Sequence, residues 1–471
     1  MAGIGFELRK LFEDKGGLFK TVKAYFFSAL VSVGPWLITI VGLNFFNLLA
    51  HQHFRDIAQK DLFMGSIIYA FVVSQIITAP WQMLLVRYIS DQLYLKQYAK
   101  ISQTFALVAG MMSLMCFLLS ILYYWNKTLP YSYMFFAYLL LTTTALVWMM
   151  MLYLGAVKDY RSIVSSYVIG SAVGVLVGFG LMIFPLPFVA LREASNLLLA
   201  YLLGMLVILS LLLRSFLRVF PCTIGVDWQF LTYLRKYPSL FFIGLFFTLG
   251  LWIDDILIWF SHLGISVYEC YRFAPLYDNA VFLAYLTVMP TMILFVVNME
   301  TQFYEHYKTF YTLINGKGTL LQIEDARRQL VRLLYRQLAY VMEVQLLITL
   351  TLIVLSKVIA VNLGVAPITA EFFRIAAQGA ACSVFVMLIM LVLLYFEARK
   401  EALLLTTVFF FSSALLTALF IPLGTTYYGL GFFIGSVLSL ITGFVLLRRF
   451  LVNVIRFAYS SQPLFSRKVT G

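Results

Sequence analysis

The sequence predicts an all-α integral membrane protein, with about twelve transmembrane helices arranged as two six-helix lobes. Hydrophobic residues make up 62% of the 471 residues and charged residues only 12%, whereas soluble domains hold roughly 45–50% and about 25%. Apolar windows long enough to cross a bilayer, which takes about 20 residues, recur along the whole chain. Lysine and arginine gather in alternate loops between these windows. These observations exclude a soluble core and favour a polytopic membrane domain.

The windows that we interpret as spans fall into two sets of six. The first set covers residues 24–50, 62–86, 104–124, 131–156, 163–184 and 194–213. The second covers 238–260, 277–298, 338–360, 373–396, 402–421 and 427–447. Residues 1–23 carry acids as well as bases and show no small-residue cleavage site, so we expect them to stay attached. We expect a short amphipathic helix there, with its apolar side chains on the membrane surface: Phe6, Leu8, Leu11 and Phe12.

The distribution of basic residues predicts the orientation of the chain. With a cytoplasmic amino terminus, most of the 34 lysines and arginines lie on the cytoplasmic side, as the positive-inside rule requires. The opposite side keeps Arg55, Lys60, Lys127, Arg192, Arg272, Lys357 and Arg374. The net charge of +13 therefore reflects cytoplasmic loops facing anionic lipid, and no nucleic-acid partner is expected. Both termini are predicted to be cytoplasmic, in a bacterial inner membrane.

Two polar stretches divide the chain into domains. We expect an amino-terminal amphipathic helix and six-helix lobe over 1–217, a cytoplasmic linker over 218–237, and a second six-helix lobe over 238–471. The second lobe contains a cytoplasmic loop at 299–337. Leucines at helical spacing alternate with arginines toward the end of this loop and predict an amphipathic surface helix: Leu330, Leu333, Leu334 and Leu338.

An internal repeat with an offset of 210 residues supports two related lobes. The matching pairs are Pro80 and Pro290, Gln92 and Gln302, Tyr94 and Tyr304, and Gly34 and Gly244. Chance similarity between apolar segments is the alternative. Duplicated halves are common in transporters, where they move against each other. Proline inside a span frees a carbonyl and bends the helix, so Pro35, Pro80 and Pro290 are candidate hinges, with ordinary kinks as the alternative.

Acidic and aromatic residues inside the spans are the candidate substrate or ion path. Asp254 and Asp255 lie deep in the seventh span, where a carboxylate is costly and therefore a functional candidate. They suit a cationic or hydroxyl-rich substrate, a proton or a sodium ion; a buried acid paired with a neighbour is the alternative. Glu343, near a span end, is a further candidate or an interfacial structural residue. Trp36, Trp252 and Trp259 could stack on sugars or serve in an interfacial belt.

Signatures of enzymes, metal sites and cofactors are not found in the sequence. No P-loop pattern is present, and no loop is long enough for a sugar-nucleotide domain. The four cysteines show no CxxC spacing, and His51 and His53 read as an ordinary loop pair. We therefore expect no catalytic residues, no metal and no cofactor, with transport energy supplied by an ion gradient, the membrane potential or polymer synthesis.

Several short segments resemble the PelG family. They are AGIGFELRK at 2–10, GPW at 34–36, RYISD at 87–91 and ETQFYEHY at 300–307. That family is identified with an inner-membrane exporter of the Pel exopolysaccharide, related to the multidrug/oligosaccharidyl-lipid/polysaccharide flippases. The family has an acidic residue at the position of Gln302. This chain departs from the family there, which puts a charged role for Gln302 in doubt.

The resemblance implies a fold, a substrate and partners. The fold would be a V-shaped, MATE-like helical bundle around a central cavity. The substrate would be a partly cationic polymer of hexosamines for the biofilm matrix, which fits the acids Asp254 and Asp255. The partners would be a cytoplasmic glycosyltransferase, a cyclic-di-GMP receptor and a tetratricopeptide membrane protein. The alternatives are a flippase for lipid-linked oligosaccharides or a drug/cation antiporter, and a non-transporting scaffold for the glycosyltransferase.

Overall fold

The computed structural model describes residues 17–460 apart from 55, 187–189, 222, 224, 299–302, 317, 363 and 365. Within that part, twelve helices are long and apolar enough to cross a membrane, as the sequence predicts. The predicted surface helix at Phe6–Phe12 and the repeat residue Gln302 lie outside the described residues. The expected number of spans is thus confirmed, and their ends lie within several residues of the predicted windows, except that the ninth of these helices begins at Leu320 rather than near residue 338.

The first six spans are helices α1 to α6, joined by short turns. Their bounds are Gly17–His53, Ile57–Tyr94, Tyr98–Tyr124, Tyr131–Ala156, Tyr160–Ile183 and Arg192–Val219. Two of these turns place an aspartate, Asp56 or Asp159, where its side chain caps the next helix. Asp159, for example, caps α5 by accepting a hydrogen bond from the Ser162 amide at 3.2 Å. Residues 220–237 follow, with the short helix α7 at Gln229–Lys236.

The second six spans begin with α8 at Pro238–Trp259. A two-stranded hairpin comes next, β1 at Ile265–Val267 and β2 at Tyr271–Phe273, antiparallel with Ile265 opposite Phe273. The remaining helices are α9 at Pro275–Leu286, α10 at Met289–Asn298, α11 at Tyr304–Asn315, α12 at Leu320–Asn362, α13 at Pro367–Tyr395, α14 at Arg399–Phe420, α15 at Leu430–Val452 and α16 at Val454–Ser460. Helices α9 and α10 together make the eighth span.

The two sets of six spans pack in the same pattern. In the first set α1 packs on α5, α5 on α6, α2 on α4, and α4 on α6. In the second set α8 packs on α14, α14 on α15, the eighth span on α13, and α13 on α15. These are the same pairs by position, first with fifth, fifth with sixth, second with fourth and fourth with sixth. The chain therefore forms two six-helix lobes that repeat each other, as the offset of 210 residues predicts.

Small residues bring the helices within each lobe close together. A Cβ atom built on Gly170 of α5 would lie 2.8 Å from the carbonyl oxygen of Gly204 in α6. In the second lobe, a Cβ on Gly431 of α15 would lie 2.3 Å from the Thr417 nitrogen of α14. Without a hydrophobic driving force between spans in lipid, such close backbone approach is a main source of helix association.

The lobes meet through two helix pairs related by the repeat. Helix α2 packs on α8, and α1 packs on α10. The contact between the second and seventh spans is therefore repeated as the contact between the eighth and first spans. At the crossing of α2 and α8, a Cβ on Gly244 would lie 2.4 Å from the carbonyl oxygen of Ala79 and 3.1 Å from the Cα of Pro80. The repeat residues Gly244 and Pro80 therefore touch each other across the lobe interface.

Two elements differ from the predicted outline. The eighth span is broken at Thr287 and Val288, ahead of Pro290, whereas α2 continues through Pro80. The predicted surface helix within 299–337 is the first part of α12, a single helix of 43 residues. At about 1.5 Å per residue, α12 is roughly twice as long as the hydrocarbon core is thick, so its amino-terminal part extends beyond the membrane.

The predicted leucine face of this segment is buried. Leu330 and Leu334 are 0% and 1% exposed, because α11 packs on α12. The chain crosses twelve times, so its loops alternate between two sides. We call the side with residues 220–237 the linker side, and the side with β1 and β2 the hairpin side.

Candidate functional site

The candidate site is built around Asp254, near the hairpin-side end of α8. Asp254 is only 3% exposed. The hydroxyl of Thr417, on α14, donates to its Oδ1 at 2.6 Å, and the hydroxyl of Tyr277, on α9, donates to its Oδ2. Three spans of the second lobe thus converge on one carboxylate and hold both of its oxygens in place.

Asp255 differs from Asp254 in its hydrogen bonding. It is 4% exposed, and in the described part of the chain no other side chain donates a hydrogen bond to its carboxylate. Adjacent positions on a helix point about 100° apart, so Asp255 does not share the donors of Asp254. Its electrostatic neighbours are the carboxylates of Asp254 and Asp278. Asp255 is therefore the member of the group whose carboxylate no other described side chain holds in place by a hydrogen bond.

Asp278 completes the group, which we call the acid cluster: Asp254, Asp255 and Asp278. It lies in the first turn of α9, where it accepts a hydrogen bond from Trp259 Nε1 at 2.9 Å and from the Ala274 amide at 3.0 Å. Among the described residues no lysine or arginine forms an ion pair with any of the three. Because an unpaired charge is costly at this depth, the cluster can be occupied by protons or by a positively charged ligand.

The sequence points to two of these three acids and misses the third. Asp278 lies inside the predicted eighth span, so the rule that selects Asp254 and Asp255 applies to it as well. Tyr277 and Thr417 carry no such signal, since tyrosine and threonine are common in membrane helices. Their roles depend on the approach of α9 and α14 to α8.

The predicted tryptophans lie at different distances from the acid cluster. Trp259 is buried, bonded to Asp278 and stacked on Tyr69 of the first lobe with ring centroids 5.2 Å apart. Trp252 donates to Gln75 Oε1 at 2.9 Å, which is a polar contact between the lobes. Trp36 is half-buried on α1, and no described contact joins it to the cluster.

Glu343 and the prolines complete the predicted set. Glu343 lies on an exposed face of α12. None of the described hydrogen bonds to the acid cluster comes from a residue of α12. Pro35 and Pro80 are buried inside continuous helices, α1 and α2. Pro290 is exposed in the first turn of α10, directly after the break in the eighth span. The path and hinge roles of these residues stay predictions.

On the hairpin side, the strands β1 and β2 of the second lobe close over the first lobe. Tyr69 and Tyr123 donate hydrogen bonds to the carbonyl oxygens of Arg272 at 2.9 Å and Cys270 at 2.6 Å. The hydroxyls of Tyr124 and Tyr271 lie 2.5 Å apart. Arg272 and Cys270 take part through their carbonyl oxygens, and the side chains that make these contacts are tyrosines, so this closure is mainly aromatic.

The turn of this hairpin is held in a strained conformation. Tyr268 and Glu269 have φ angles of 49° and 51°, in the left-handed region that favours glycine and costs other residues about 1–2 kcal/mol. Lys127 of the first lobe donates to the Glu269 carbonyl at 2.7 Å. The contact with the first lobe thus helps to hold the turn.

On the linker side, charged groups join the lobes instead. Arg87, at the end of α2, pairs with Glu397 of the second lobe and lies 3.3 Å from Asp91 on its own helix. Arg399 contacts the other oxygen of Glu397 at 3.2 Å and lies 4.4 Å from the centre of the Tyr237 ring. Arg87 and Asp91 are four residues apart on one helix, whereas Glu397 is far away in the sequence.

The ionisation of this linker-side network follows from its geometry. Burial by itself raises the pKa of the Glu397 carboxyl, but the hydrogen bonds and charges of Arg87 and Arg399 outweigh burial and hold that pKa below its ordinary value. Tyr233 of α7 donates to Asp91 at 2.9 Å. Burial, with this hydrogen bond, raises the pKa of the Tyr233 phenol to about 12. The network is therefore fully formed at neutral pH.

No metal centre is seen in this arrangement. In the residues that the structure describes, no group of three or more His, Cys, Asp or Glu side chains is placed to hold a metal ion. The site chemistry is that of buried carboxylates, hydroxyls and indoles at the junction of two lobes, which can bind and release a cation or a hydroxyl-rich ligand.

Solved structures of MATE and MOP-superfamily transporters share this fold. A variant of the MATE transporter VcmN from Vibrio cholerae aligns with a TM-score of 0.60 and 14% identity, over 98% of this chain and 99% of that chain. The MATE transporter ClbM in complex with Rb+ gives 0.58 and 14%, over 95% and 98%. A MOP-superfamily transporter from Pyrococcus furiosus gives 0.58 and 12%, over 92% and 96%. These identities show a common fold.

The sequence itself matches one protein family over almost its whole length. No curated protein matches the chain significantly. The profile of PelG, described as "Putative exopolysaccharide Exporter (EPS-E)", matches residues 1–459, and the transporter fold agrees with that description. The chain is therefore a multi-pass membrane protein that belongs to the PelG family of exopolysaccharide exporters.

Proposed function

We propose that this protein moves a growing, partly cationic exopolysaccharide across the bacterial inner membrane for the biofilm matrix. The path would run between a first lobe at 1–217 and a second lobe at 238–471, joined by the linker at 218–237. The observation that carries the proposal is the acid cluster next to the lobe interface, in which Asp254 and Asp255 are buried and Asp278 is half-buried, without a basic partner among the described residues. Such a group attracts positive charge.

The two carboxylates of α8 would have different tasks. Asp254 is held by Tyr277 and Thr417 and would fix the geometry of the site. Asp255 would exchange a proton, a sodium ion or the ammonium group of an amino sugar. Trp36, Trp252 and Glu343 would contribute to the path farther from the cluster. Binding at Asp255 that differs between two lobe arrangements would couple the ion or sugar to movement.

The two closures of the lobe interface would open in turn. The aromatic hairpin closure and the ionic closure at Glu397 lie at opposite ends of α2. Breaking one while keeping the other gives alternating access around a central site. Pro35, Pro80 and Pro290 would be the points at which the helices bend during this movement.

The linker side would face the cytoplasm, with both termini on that side. Most lysines and arginines belong to its loops, which supports this orientation by the positive-inside rule. Helix α11 and the extended start of α12 would then project toward cytoplasmic partners. We expect these to be a glycosyltransferase, with a cyclic-di-GMP receptor and a tetratricopeptide membrane protein in the same complex.

Deletion of the protein tests the export function directly. The strain should accumulate polymer inside the cell and none outside, and a plasmid copy should restore secretion. Normal secretion by the deletion strain would contradict the proposal. Purified protein in proteoliposomes that moves lipid-linked oligosaccharides without a synthase would instead favour a flippase.

The Asp255→Asn variant separates a transporter from a scaffold. If the protein only anchors the glycosyltransferase, the variant should assemble and secrete normally. If Asp255 binds an ion or substrate, the variant should assemble with its partners but lose export. Co-purification of the glycosyltransferase with each variant checks assembly.

A further inference from the structure

An open groove of about 460 Å³ lies along one face of α11, on the linker side. Its lining residues follow helical spacing, so that one stripe of the helix forms the floor: Tyr304, Tyr307, Lys308, Tyr311, Thr312 and Asn315. Tyr304 is 42% exposed. The groove therefore presents tyrosine rings and small polar groups to solvent.

The rings of this groove are held by packing against aromatic residues at the end of α13, in the same lobe. The ring centroid of Tyr307 lies 4.6 Å from that of Tyr311 and 4.8 Å from that of Tyr395, which it meets edge-on at 87°. Phe396 packs 5.5 Å from Tyr307. Aromatic pairs at these separations stabilise each other, so the floor of the groove is formed before any ligand binds.

The chemistry of the groove fits a neutral sugar chain. Aromatic faces cover the apolar faces of pyranose rings, while hydroxyl and amide groups bond to their hydroxyl and acetamido groups. Among the described residues, the lining of the groove holds Lys308 and no carboxylate. A cationic amino sugar would be repelled by Lys308 and would find no acid in the groove to pair with, in contrast to the acid cluster.

The position of the groove relates it to the lobe interface. Tyr395 and Phe396, which support its floor, directly precede Glu397, the residue that pairs with Arg87 of the first lobe. The first lobe has no counterpart, because its repeat-related Tyr94 ends α2 and α3 begins at Tyr98. The groove is thus a feature of one lobe only, next to the linker-side end of the path.

We infer that this groove binds neutral, N-acetylated sugar units of the polysaccharide as they approach the path, an inference that rests on the proposed function. Interfacial tyrosines also anchor helices among lipid headgroups. The two roles differ in a measurable way, since a headgroup anchor does not affect sugar affinity.

Isothermal titration calorimetry of the purified full-length protein with tetra-N-acetylchitotetraose tests the inference. We expect binding that Tyr304→Ala weakens about three- to tenfold, as loss of one aromatic contact predicts, and that Tyr304→Phe keeps within about twofold. The control Tyr94→Ala, at the repeat-related and more exposed position in the first lobe (88% exposed), should bind as the wild type does. Thermal unfolding of each variant confirms that it is folded.

Two further measurements complete the design. The fully deacetylated tetrasaccharide should bind at least about tenfold more weakly, because Lys308 repels its charges. No binding, equal losses in Tyr304→Ala and Tyr94→Ala, or tighter binding of the deacetylated form would each overturn the inference. Its failure is separable from failure of the proposed function: secretion by the deletion strain tests the latter without reference to the groove.

Discussion

Asp254, Asp255 and Asp278 have no acidic equivalents in the first lobe. The positions 210 residues earlier hold Asn44, Phe45 and Ile68. Asn44 is exposed, and its amide donates to the Ile40 carbonyl of its own helix at 2.9 Å. The same fold position thus faces outward and is neutral in one lobe, and is buried and acidic in the other.

The difference teaches that duplication preserved the packing and left the polar chemistry free to change. The close helix crossings occur in both lobes, because any loss of backbone contact weakens association in lipid. The acid cluster, the break before Pro290 and the groove of α11 belong to the second lobe. If the acid cluster binds the ligand as proposed, the transporter is asymmetric, with the second lobe responding to the ligand and the first lobe supporting it.

Neutralising the acid cluster is expected to give the largest effect on this asymmetry. Asp254→Asn should lower export by at least about tenfold, or about 1.4 kcal/mol, since an amide cannot accept from both Tyr277 and Thr417 as the carboxylate does and the site loses its fixed geometry. Secreted polymer per cell is the measurement. Asn44→Ala, at the matching first-lobe position, should leave export unchanged. Equal losses from both substitutions would contradict a functional difference between the lobes.

Filling the lobe crossing should affect stability. Gly244→Ala should destabilise the protein by about 1–3 kcal/mol, because its Cβ would lie 2.4 Å from the Ala79 carbonyl oxygen. If the interface is symmetric, Gly34→Ala should do the same at the crossing of α1 and α10. Gly110→Ala, with nothing within 4 Å of its Cβ, is the control and should not destabilise. Thermal unfolding in detergent compares all three, and a harmless Gly244→Ala would refute close packing there.

The two repeat prolines should respond differently to replacement. Pro80 interrupts the hydrogen bonding of a continuous helix, so Pro80→Ala should raise the unfolding temperature. Pro290 lies in the first turn of α10, where no intrahelical amide partner is missing, so Pro290→Ala should change stability by less than about 0.5 kcal/mol. If Pro290 is a hinge, its variant should still lower the export rate. Equal stabilisation by both would remove this difference between the lobes.

A small effect on stability is also expected at the linker-side network. Glu397→Gln should cost less than about 1 kcal/mol, because the residue is half exposed and solvent screens its pairs. The pKa of Glu397 is held below its ordinary value of 4.5. Its contribution is therefore present above that ordinary value and is lost as the pH falls through the lower folded-state pKa. Wild-type and variant unfolding temperatures should differ at pH 7 and converge in strong acid; a constant difference would contradict the ion pair.

Much of the fold is predictable because membrane insertion is a local property. The windows for α4 at 131–156 and α8 at 238–260 agree with the helices almost to the residue, since about 20 apolar residues in hydrocarbon must close their own hydrogen bonds. The repeat was visible in four residue pairs. The length of α12 was not, because the apolar signal ends where the helix leaves the membrane.

The candidate site was only partly predictable. Asp254 and Asp255 stand out because charge is rare in spans, and Asp278 could have been found by the same rule. Thr417 lies 163 residues from Asp254, and Glu397 lies 310 residues from Arg87. No periodicity or composition links positions so far apart.

The sequence alone determined that hydrocarbon surrounds this chain, how often the chain crosses it, and that acids are placed in the seventh span. These follow from the transfer free energies of single residues, which depend on nothing distant. Only the tertiary structure decided which acid accepts hydrogen bonds from other side chains and which does not. It also decided how the hairpin and Glu397 close the two ends of the interface, and where tyrosines form a groove. Those features depend on helix packing, which brings together side chains that are far apart in the sequence.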